Sequence, residues 1–215
     1  MKMRDLVIYG AGGLGREVLG LVRATDPQRG VWNFLGFIDD GKTAGTRVGD
    51  AEVLGGMEWL LSSASPVAIV MGLADPAVKA AIYAKLSSDP RMTFPTFVHP
   101  SADIDPSASL AVGTVISPFC FVAVDSSLGV CSFLNAASQV GHDSVVGDFC
   151  SIMPSVSISG NVTIGPRTLV GVGARILQGL RIGSDSVVGI GSVVLNDVPD
   201  ACTVLGYPAR VVKKG

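Results

Sequence analysis

Aliphatic residues occupy every sixth position from Val98 to Val194. The seventeen members of this series are all Val, Ile or Leu, and the register neither slips nor misses. A second series of mostly small residues follows four positions later and includes Ala102, Cys120 and Ser144. Neither series contains Asp, Glu, Lys or Arg. A short and constant period of this kind is typical of a repeat architecture.

A period of six predicts a parallel β-helix in which each hexad supplies one short strand and one corner. Three hexads close one triangular coil, and stacked coils lie about 4.8 Å apart, so the prism is roughly 27 Å tall. The aliphatic series points inward, and the small series fits the corners. A β-sandwich is the alternative, but its irregular loops would break the register. The period leaves the handedness open, and the general rule for crossovers favours a right-handed helix.

The first part of the chain has a different pattern, in which a glycine-rich turn joins a strand to a helix. Residues 6–9 are apolar, residues 10–15 read G-A-G-G-L-G, and residues 17–23 have helical spacing. In this context the glycines admit a phosphate and the helix N-terminus offers free N–H groups. A tight turn without a ligand is the alternative interpretation.

The next predicted strands end at polar or small residues. Residues 34–38 end at Asp39 and Asp40, where a nucleotide-binding fold places a carboxylate that contacts ribose. Residues 67–71 end at Gly72, and a helix is predicted over residues 75–86. Residues 1–93 are therefore predicted to form a half-size, Rossmann-like α/β domain with three or four parallel strands. Half a dinucleotide fold suits a mononucleotide or a nucleotide-sugar better than NAD.

Composition excludes several functions. The net charge of the 215 residues is −2 with no basic run, which argues against nucleic acid. No apolar segment reaches the roughly 20 residues of a membrane span, and the apolar run near the N-terminus is interpreted as a strand rather than a signal peptide. Four cysteines without a C-x-x-C pair indicate packing residues in a reducing cytoplasm. No metal cluster and no G-x-S-x-G motif are present in the sequence.

The β-helix, predicted over residues 94–199 and followed by a tail at 200–215, contains one candidate for acid–base chemistry. His142 follows Val140 by two positions, outside both inward series, and Asp143 could orient its imidazole. Gly160 lies one coil further and is expected to expose an N–H that could stabilise an oxyanion. Asn135, one hexad earlier, adds a polar group. A solvated surface histidine is the alternative for His142, whereas His99, at the start of the helix, is expected to be structural.

Five motifs together resemble the nucleotide-aminosugar N-acetyltransferases and the related sialic acid O-acetyltransferases. They are the G-A-G-G-L-G-R-E turn, the G-F-I-D-D strand end, V-H-P-S-A at the start of the coils, N-x-x-S-x-V-G-H-D within them, and the terminal G-Y-P-A-R. The resemblance covers nearly the whole chain. It implies a left-handed β-helix, a homotrimer with active sites between subunits, and acetyl-CoA in the groove between two helices, with no metal.

The same resemblance implies roles for individual residues. His142 would be the general base and Asp143 would orient it, while Asn135 would lie near the amino-sugar. The family has a second histidine in its UDP-sugar members where this chain has Ser151, which weakens the transfer of their specificity. The nucleotide would be framed by Gly10, Gly12, Gly13, Asp39, Asp40 and Gly72, and acetyl-CoA would be bound by Gly160, Gly206, Pro208 and Arg210.

The resemblance implies acetyl transfer from acetyl-CoA to the 4-amino group of a nucleotide-linked 4-amino-deoxysugar in the cytoplasm, as in O-antigen and lipopolysaccharide biosynthesis. GDP-perosamine is the favoured substrate. The alternatives are the same reaction on a UDP-4-amino-sugar, O-acetylation of a sugar hydroxyl, or a non-catalytic protein that binds a nucleotide-sugar. Nothing in the sequence determines the nucleotide base.

Overall fold

The computed structural model describes residues 3–26, 28 and 30–214. Its first part is a six-stranded sheet of order β3-β4-β2-β1-β5-β6, parallel except for the β3–β4 pair. The strands are β1 (Arg4–Tyr9), β2 (Trp32–Ile38), β3 (Arg47–Val48), β4 (Ala51–Gly55), β5 (Val67–Met71) and β6 (Met92–Thr93), and the helices are α1 (Gly13–Thr25), α2 (Met57–Ser62) and α3 (Pro76–Leu86).

Alternation along β1 directs side chains into two cores, one on each face of the sheet. Leu6 and Ile8 pack in a cluster with residues of α1, whereas Val7 and Tyr9 pack with residues of α2 and α3. This follows from the two-residue period of a strand. The sheet therefore has helices on both faces, as the half-size α/β domain predicted from the sequence requires.

Helix α3 begins as predicted. The carboxylate of Asp75 accepts hydrogen bonds from the N–H groups of Ala77 and Val78, and Pro76 is the first helical residue. The prediction of three or four parallel strands was too low, because β4 and β6 are also parallel to their neighbours. The short elements β3, α2 and β6 carry too few residues for a period to be recognised.

From Phe97 the chain forms a prism of stacked coils with three flat faces, each a parallel sheet of two-residue strands. The first face contains β7 (Phe97–Val98), β10 (Val115–Ile116), β13 (Phe133–Leu134), β16 (Ser151–Ile152), β19 (Leu169–Val170) and β22 (Val187–Val188). The second contains β8 (Asp103–Ile104), β11 (Phe121–Val122), β14 (Gln139–Val140), β17 (Ser157–Ile158), β20 (Arg175–Ile176) and β23 (Val193–Val194). The third contains β9 (Ser109–Leu110), β12 (Ser127–Leu128), β15 (Val145–Val146), β18 (Thr163–Ile164) and β21 (Arg181–Ile182).

Each aliphatic residue of the six-residue series lies inside the prism and pairs with its equivalent one coil away. Val122, Leu134 and Val140 are completely buried, whereas Val98, in the terminal coil, is only partly buried. Three corners join the faces: the first corner links the first face to the second (135–138 is one example), the second corner links the second to the third (141–144), and the third corner links the third to the first (147–150).

Small polar residues satisfy the backbone at the corners. Ser144 is buried; its hydroxyl donates to the carbonyl of Ser159 at 3.0 Å and accepts from the N–H of Val162 at 3.0 Å. Ser138 makes the equivalent pair of bonds one corner earlier. A buried backbone group without a partner is costly, so the second sequence series supplies hydrogen bonds as well as a small volume.

The last described residues extend the first face of the prism. Strand β24 (Cys202–Gly206) pairs in parallel with β22 on the first face, and β25 (Ala209–Lys214) returns antiparallel to β24. The six-residue period of the sequence ends before this sheet does. The proposed division of the chain at residues 93 and 199, with a tail at 200–215, stays a prediction.

The α/β part packs on the first face of the prism. Phe97, Val115 and Phe133 point outward from that face and belong to the same buried cluster as Val18 of α1. Trp32 adds a ring contact with Phe97, at 5.4 Å between centroids. The second corner is the edge of the prism opposite this face, so it lies away from the α/β part of its own chain.

Candidate active site

His142 and Asp143 form a hydrogen-bonded pair on the second corner. His142 Nδ1 lies 2.7 Å from Asp143 Oδ2, and the two side chains are 53% and 59% exposed. Asp143 has φ of 58°, the left-handed conformation in which many of these corners turn. When Nδ1 donates to the carboxylate, Nε2 is left without a proton and can act as a base. The pair is therefore exposed and correctly arranged for proton transfer.

Gly160 lies against the imidazole, one coil from His142. The two corners are joined by a hydrogen bond of 2.7 Å from Asn161 N–H to the carbonyl of His142. A Cβ added at Gly160 would fall on the ring of His142, so only glycine leaves room for the imidazole. The expectation that Gly160 is exposed was wrong, because the ring covers it. Its N–H donates no hydrogen bond to any described residue.

The second corner continues as a column towards the C-terminal end. Positions 142, 160, 178 and 196 follow one another by one coil, so they span roughly 14 Å. Leu177 and Leu195 are half-exposed along this edge. Arg210, from β25, lines a cavity of about 260 Å³ with Asn196 and Asp197 at the far end of the column. Gly206 ends β24, and Pro208 follows Tyr207, which is 81% exposed, in the turn to β25; neither Gly206 nor Pro208 lines that cavity.

The glycines of the α/β part have two different roles. Gly12 and Gly13 are exposed, and nothing lies within 4 Å of a Cβ added to either. Gly12 is the N-cap of α1 and no side chain caps that end. The first N–H groups of α1 therefore face open space, which suits an anion.

Gly10 and Gly72 are buried and allow close packing instead. A Cβ at Gly10, where φ is 108°, would lie 2.6 Å from the carbonyl oxygen of Gly72, and one at Gly72 would lie 2.7 Å from the Cα of Gly15. Their N–H groups already donate to the carbonyls of Ile38 and Tyr9. Gly10 and Gly72 therefore allow close packing at the carboxyl ends of β1 and β5, and neither has a free N–H group to donate to a nucleotide.

Asp39 lies beside the glycine turn with its carboxylate held by three donors. It accepts from the N–H of Ala11 at 2.9 Å, from the N–H of Gly41 at 3.0 Å and from Lys42 Nζ at 3.2 Å. Burial opposes the ionised form, but these donors outweigh it and hold the pKa of Asp39 below its ordinary value. Asp39 is therefore a fixed anion at the ligand edge.

Asp40 connects two elements of the fold. Its Oδ2 accepts from Tyr9 Oη at 2.6 Å, and its Oδ1 accepts from the N–H of Met57 at the start of α2. Burial, followed by the hydrogen bond to Asp40, raises the pKa of Tyr9. Both carboxylate oxygens of Asp40 are thus in use within the chain, although the residue itself is exposed.

Three cationic residues near the open glycines were missed in the sequence. Arg16, Lys42 and Arg47 line a cavity of about 310 Å³ together with Gly12 and Gly13. They come from α1, the loop after β2 and strand β3, so no sequence motif unites them. Positive side chains beside a free helix N-terminus make this cavity suited to phosphate groups.

Asn135 and Ser151 do not lie beside His142 in this chain. Asn135 is 6% exposed on the first corner, where its Oδ1 accepts from the N–H of Ala136. Ser151 is completely buried on the first face, and its hydroxyl has no hydrogen-bond partner among the described residues. Because Ser151 lies on the first face, which the α/β part covers, it cannot contact a ligand bound beside His142 of the same chain.

No group of three His, Cys, Asp or Glu residues among those that the structure describes could hold a metal ion. In that same part of the chain, no helix has the length and hydropathy needed to cross a bilayer.

Comparisons with known proteins agree with this geometry. Residues 5–86 match the model of the PglD N-terminal domain, and residues 137–178 match that of the bacterial transferase hexapeptide repeats. GDP-perosamine N-acetyltransferase of Escherichia coli O157:H7 is 30% identical over 213 residues, which cover 96% of each chain. This chain belongs to the hexapeptide-repeat nucleotide-aminosugar N-acetyltransferases. The predicted class of enzyme, an acetyl-CoA-dependent sugar N-acetyltransferase, is thereby confirmed.

Solved structures of this family superpose on nearly the whole chain. A histidine-to-asparagine mutant of perosamine N-acetyltransferase from Caulobacter crescentus, in complex with CoA and GDP-perosamine, has a TM-score of 0.87 at 27% identity and covers 99% of this chain and 98% of that one. The acetyltransferase domain of PglB from Neisseria gonorrhoeae FA1090, in complex with acetyl coenzyme A, has a TM-score of 0.88 at 30% identity and covers 98% and 100%. The predicted fold class, a half-Rossmann-like domain followed by a left-handed β-helix, is confirmed.

Proposed function

We propose that this enzyme transfers the acetyl group of acetyl-CoA to the 4-amino group of a nucleotide-linked 4-amino-deoxysugar, with GDP-perosamine the favoured substrate and His142 the general base. The observation that carries the proposal is the exposed His142–Asp143 pair, 2.7 Å apart, with Gly160 directly against the imidazole. The relatives that bind CoA and GDP-perosamine support the choice of substrate.

In the proposed reaction the sugar amine attacks the thioester carbonyl carbon and His142 Nε2 accepts the proton that the amine loses. Asp143 stabilises the imidazolium that forms, and the N–H of Gly160 donates to the oxyanion. The C–S bond then breaks, CoA leaves as a thiolate, and the proton on His142 is available to it. Each step uses a group whose position follows from the corner geometry.

Acetyl-CoA would lie along the second corner. Its thioester would meet His142 and Gly160, and the chain of the cofactor would follow the column of half-exposed Leu177 and Leu195 towards Arg210. The roughly 14 Å from position 142 to position 196 suits an extended pantetheine arm. Arg210 would then face the phosphate or adenine end, and Gly206 and Pro208 would border it from the neighbouring turn.

The nucleotide would bind at the α/β part. Its phosphates would meet the free N–H groups at Gly12 and Gly13 and the side chains of Arg16 and Arg47. Asp39, kept ionised beside the same turn, would accept from the ribose or the base. Gly10 and Gly72 would contribute indirectly, because the absence of their side chains lets β1, β5 and α1 pack closely beside this site.

We propose a homotrimer with shared sites, and the positions of these two regions support the sharing. The α/β part covers the first face, and His142 lies on the opposite edge. A nucleotide-sugar held by one subunit would therefore present its amine to the second corner of a neighbouring subunit. Asn135, on the first corner beside α1, would then contact the amino-sugar from the side that holds the nucleotide.

A substrate panel tests the proposal. The wild-type enzyme and acetyl-CoA are incubated with GDP-, UDP- and dTDP-4-amino-sugars and with matched sugars that carry a 4-hydroxyl, and released CoA and the acylated product are measured. We expect turnover with the amino-sugars and the highest kcat/KM with GDP-perosamine. Preference for the hydroxyl sugars would support O-acetylation instead, and preference for a UDP-sugar would correct the nucleotide. No turnover with any of them, together with no thermal shift on adding acetyl-CoA, would favour a non-catalytic binding protein.

A further inference from the structure

A second crevice lies between α1 and the first corner of the β-helix. Its volume is about 320 Å³, at the low end of the range for small-molecule sites. Helix α1 contributes Glu17 and Leu21, and the first corners of three successive coils contribute His99, Pro118 and Asn135. The crevice thus joins the part that carries the glycine turn to the β-helix.

Three polar groups line this crevice with hydrogen-bonding capacity to spare. The carboxylate of Glu17 makes no hydrogen bond or ion pair with any described residue. His99 uses Nδ1 for the hydroxyl of Ser101, at 2.8 Å, which leaves Nε2. Asn135 uses Oδ1 for the N–H of Ala136, which leaves both donors of its Nδ2. Asn135 is 6% exposed and lines the crevice, so we expect a ligand in the crevice to reach these donors.

The rest of the lining is apolar or small. Leu21, Pro118 and Ala136 form an apolar wall, and Gly20 adds no side chain. A few convergent polar groups against an apolar wall are typical of sites that orient a small ligand. A deoxysugar, with hydroxyl or amino groups on one side and a methyl group on the other, has this chemistry.

The crevice and the cationic cavity are lined by consecutive residues of α1. Arg16 lines that cavity and Glu17, the next residue, lines the crevice. Gly13, Arg16, Glu17 and Gly20 lie on one side of the helix, because residues three and four apart are neighbours on its surface. Nothing lies within 4 Å of a Cβ added at Gly13 or Gly20, so the surface between the two sites is open. A diphosphate at Arg16 would place its attached sugar at Glu17.

We infer that Glu17 and His99 are specificity-determining residues that bind the sugar of the nucleotide-sugar in this crevice. The carboxylate of Glu17 accepts from a sugar hydroxyl or amine, and Nε2 of His99 hydrogen-bonds a second hydroxyl, opposite the Nδ2 of Asn135. The inference rests on the proposed function, and it replaces the purely structural role expected for His99.

Binding measured by calorimetry, without turnover, tests it. The wild-type chain, Glu17→Gln and His99→Asn are titrated with GDP-perosamine and with GDP. In His99→Asn the amide oxygen can replace Nδ1 as the partner of Ser101, but no group replaces Nε2. In His99→Gln the longer amide reaches the position of Nε2 and the partner of Ser101 is lost, so this variant is the matched control. Glu52→Gln, an exposed carboxylate on β4 that lines neither cavity, is the control for charge.

We expect Glu17→Gln and His99→Asn each to weaken GDP-perosamine binding by about 10-fold or more, since hydrogen bonds to charged or buried groups have this magnitude. GDP binding should stay within about twofold in every variant, and His99→Gln and Glu52→Gln should resemble the wild type. Two results would overturn the inference and leave the proposed function intact. One is an equal loss of affinity for GDP and for GDP-perosamine; the other is an unchanged affinity for GDP-perosamine in both Glu17→Gln and His99→Asn. A wild-type chain that binds neither ligand would instead show that the proposed function is wrong.

Discussion

The imidazole of His142 lies so close to Gly160 that any side chain at position 160 would occupy the same space. The period of the coils produces this contact, because residues 18 apart occupy equivalent corners. One glycine therefore both leaves room for the base and provides the N–H beside it. The relationship leads to the first prediction.

Gly160→Ala should abolish most activity without unfolding the enzyme. The added methyl group would displace the imidazole from the position in which it pairs with Asp143, and kcat should fall by about 100-fold, the lower end of what a positioned base contributes. Steady-state kinetics with both substrates measures this. Gly30→Ala is the control, since nothing lies within 4 Å of a Cβ at that position. Wild-type kcat in Gly160→Ala would show that the ring has room to move.

Replacing the base and its partner should have graded effects. His142→Asn should lower kcat/KM by about 100-fold or more, and Asp143→Asn, which leaves the base but not its charged partner, by about 10-fold. Circular dichroism and the oligomeric state should be unchanged, because both side chains are half-exposed. Activity of His142→Asn within tenfold of the wild type would show that His142 is not the base.

Lys79 should stabilise the contact between α3 and the third corner. It is completely buried, and its Nζ donates to the carbonyls of Cys131 and Cys150 at 3.1 and 2.9 Å. The Cys131 carbonyl accepts no other bond from a described residue. Lys79→Met would leave it unsatisfied and should reduce the free energy of unfolding by about 1–3 kcal/mol in denaturant titrations. Lys85→Met, an exposed residue of the same helix, should change it by less than about 0.5 kcal/mol. Equal effects of the two variants would contradict the prediction.

The buried thiols predict a loss of stability in alkali. Burial raises the pKa of Cys120 and Cys150 from 9.0 to about 11 and that of Cys131 to about 12. The unfolded chain therefore releases these protons above pH 9 while the folded chain keeps them, so stability is present below pH 9 and is lost as pH rises towards 11. Burial lowers the pKa of Lys79 to about 8, which acts in the opposite sense for one proton between pH 8 and 10.5.

The net difference of about two protons should reduce the unfolding free energy by roughly 3 kcal/mol per pH unit near pH 10. Urea titrations at pH 8.5, 9.5 and 10.5 measure the slope. Cys120→Ala should make it shallower by about one proton, or roughly 1.4 kcal/mol per pH unit. A slope that does not respond to this substitution would mean that the thiol is not responsible.

The sequence predicted the β-helix with its register because one physical requirement, an aliphatic residue inside every strand, repeats without exception from Val98 to Val194. It also located the His142–Asp143 pair, since the two residues are consecutive. The short strands β3 and β6 could not be found in the same way. Each has only two residues and lies outside the six-residue period.

The roles of the glycines and of the cations at the nucleotide edge could not be predicted. Gly10 and Gly12 belong to the same glycine motif, and only the approach of Gly72 to Gly10 shows that Gly10 packs closely whereas Gly12 is open. Arg16 and Arg47 are far apart in the chain and become neighbours only when β3 folds back beside the start of α1.

Those cations lead to a last prediction, on nucleotide affinity. Arg16→Gln and Arg47→Gln should each weaken GDP binding by about 10-fold, because each removes a charge-assisted hydrogen bond to phosphate. Affinity should also depend less on salt, since one attraction between charges is lost. Calorimetry at 50 and 300 mM NaCl measures both effects. Arg181→Gln, on the third face of the β-helix, is the control and should bind as the wild type does. If Arg16→Gln weakened acetyl-CoA binding instead, the phosphates in this cavity would belong to CoA and not to the nucleotide-sugar, and the two substrates would have to exchange places in the proposed site.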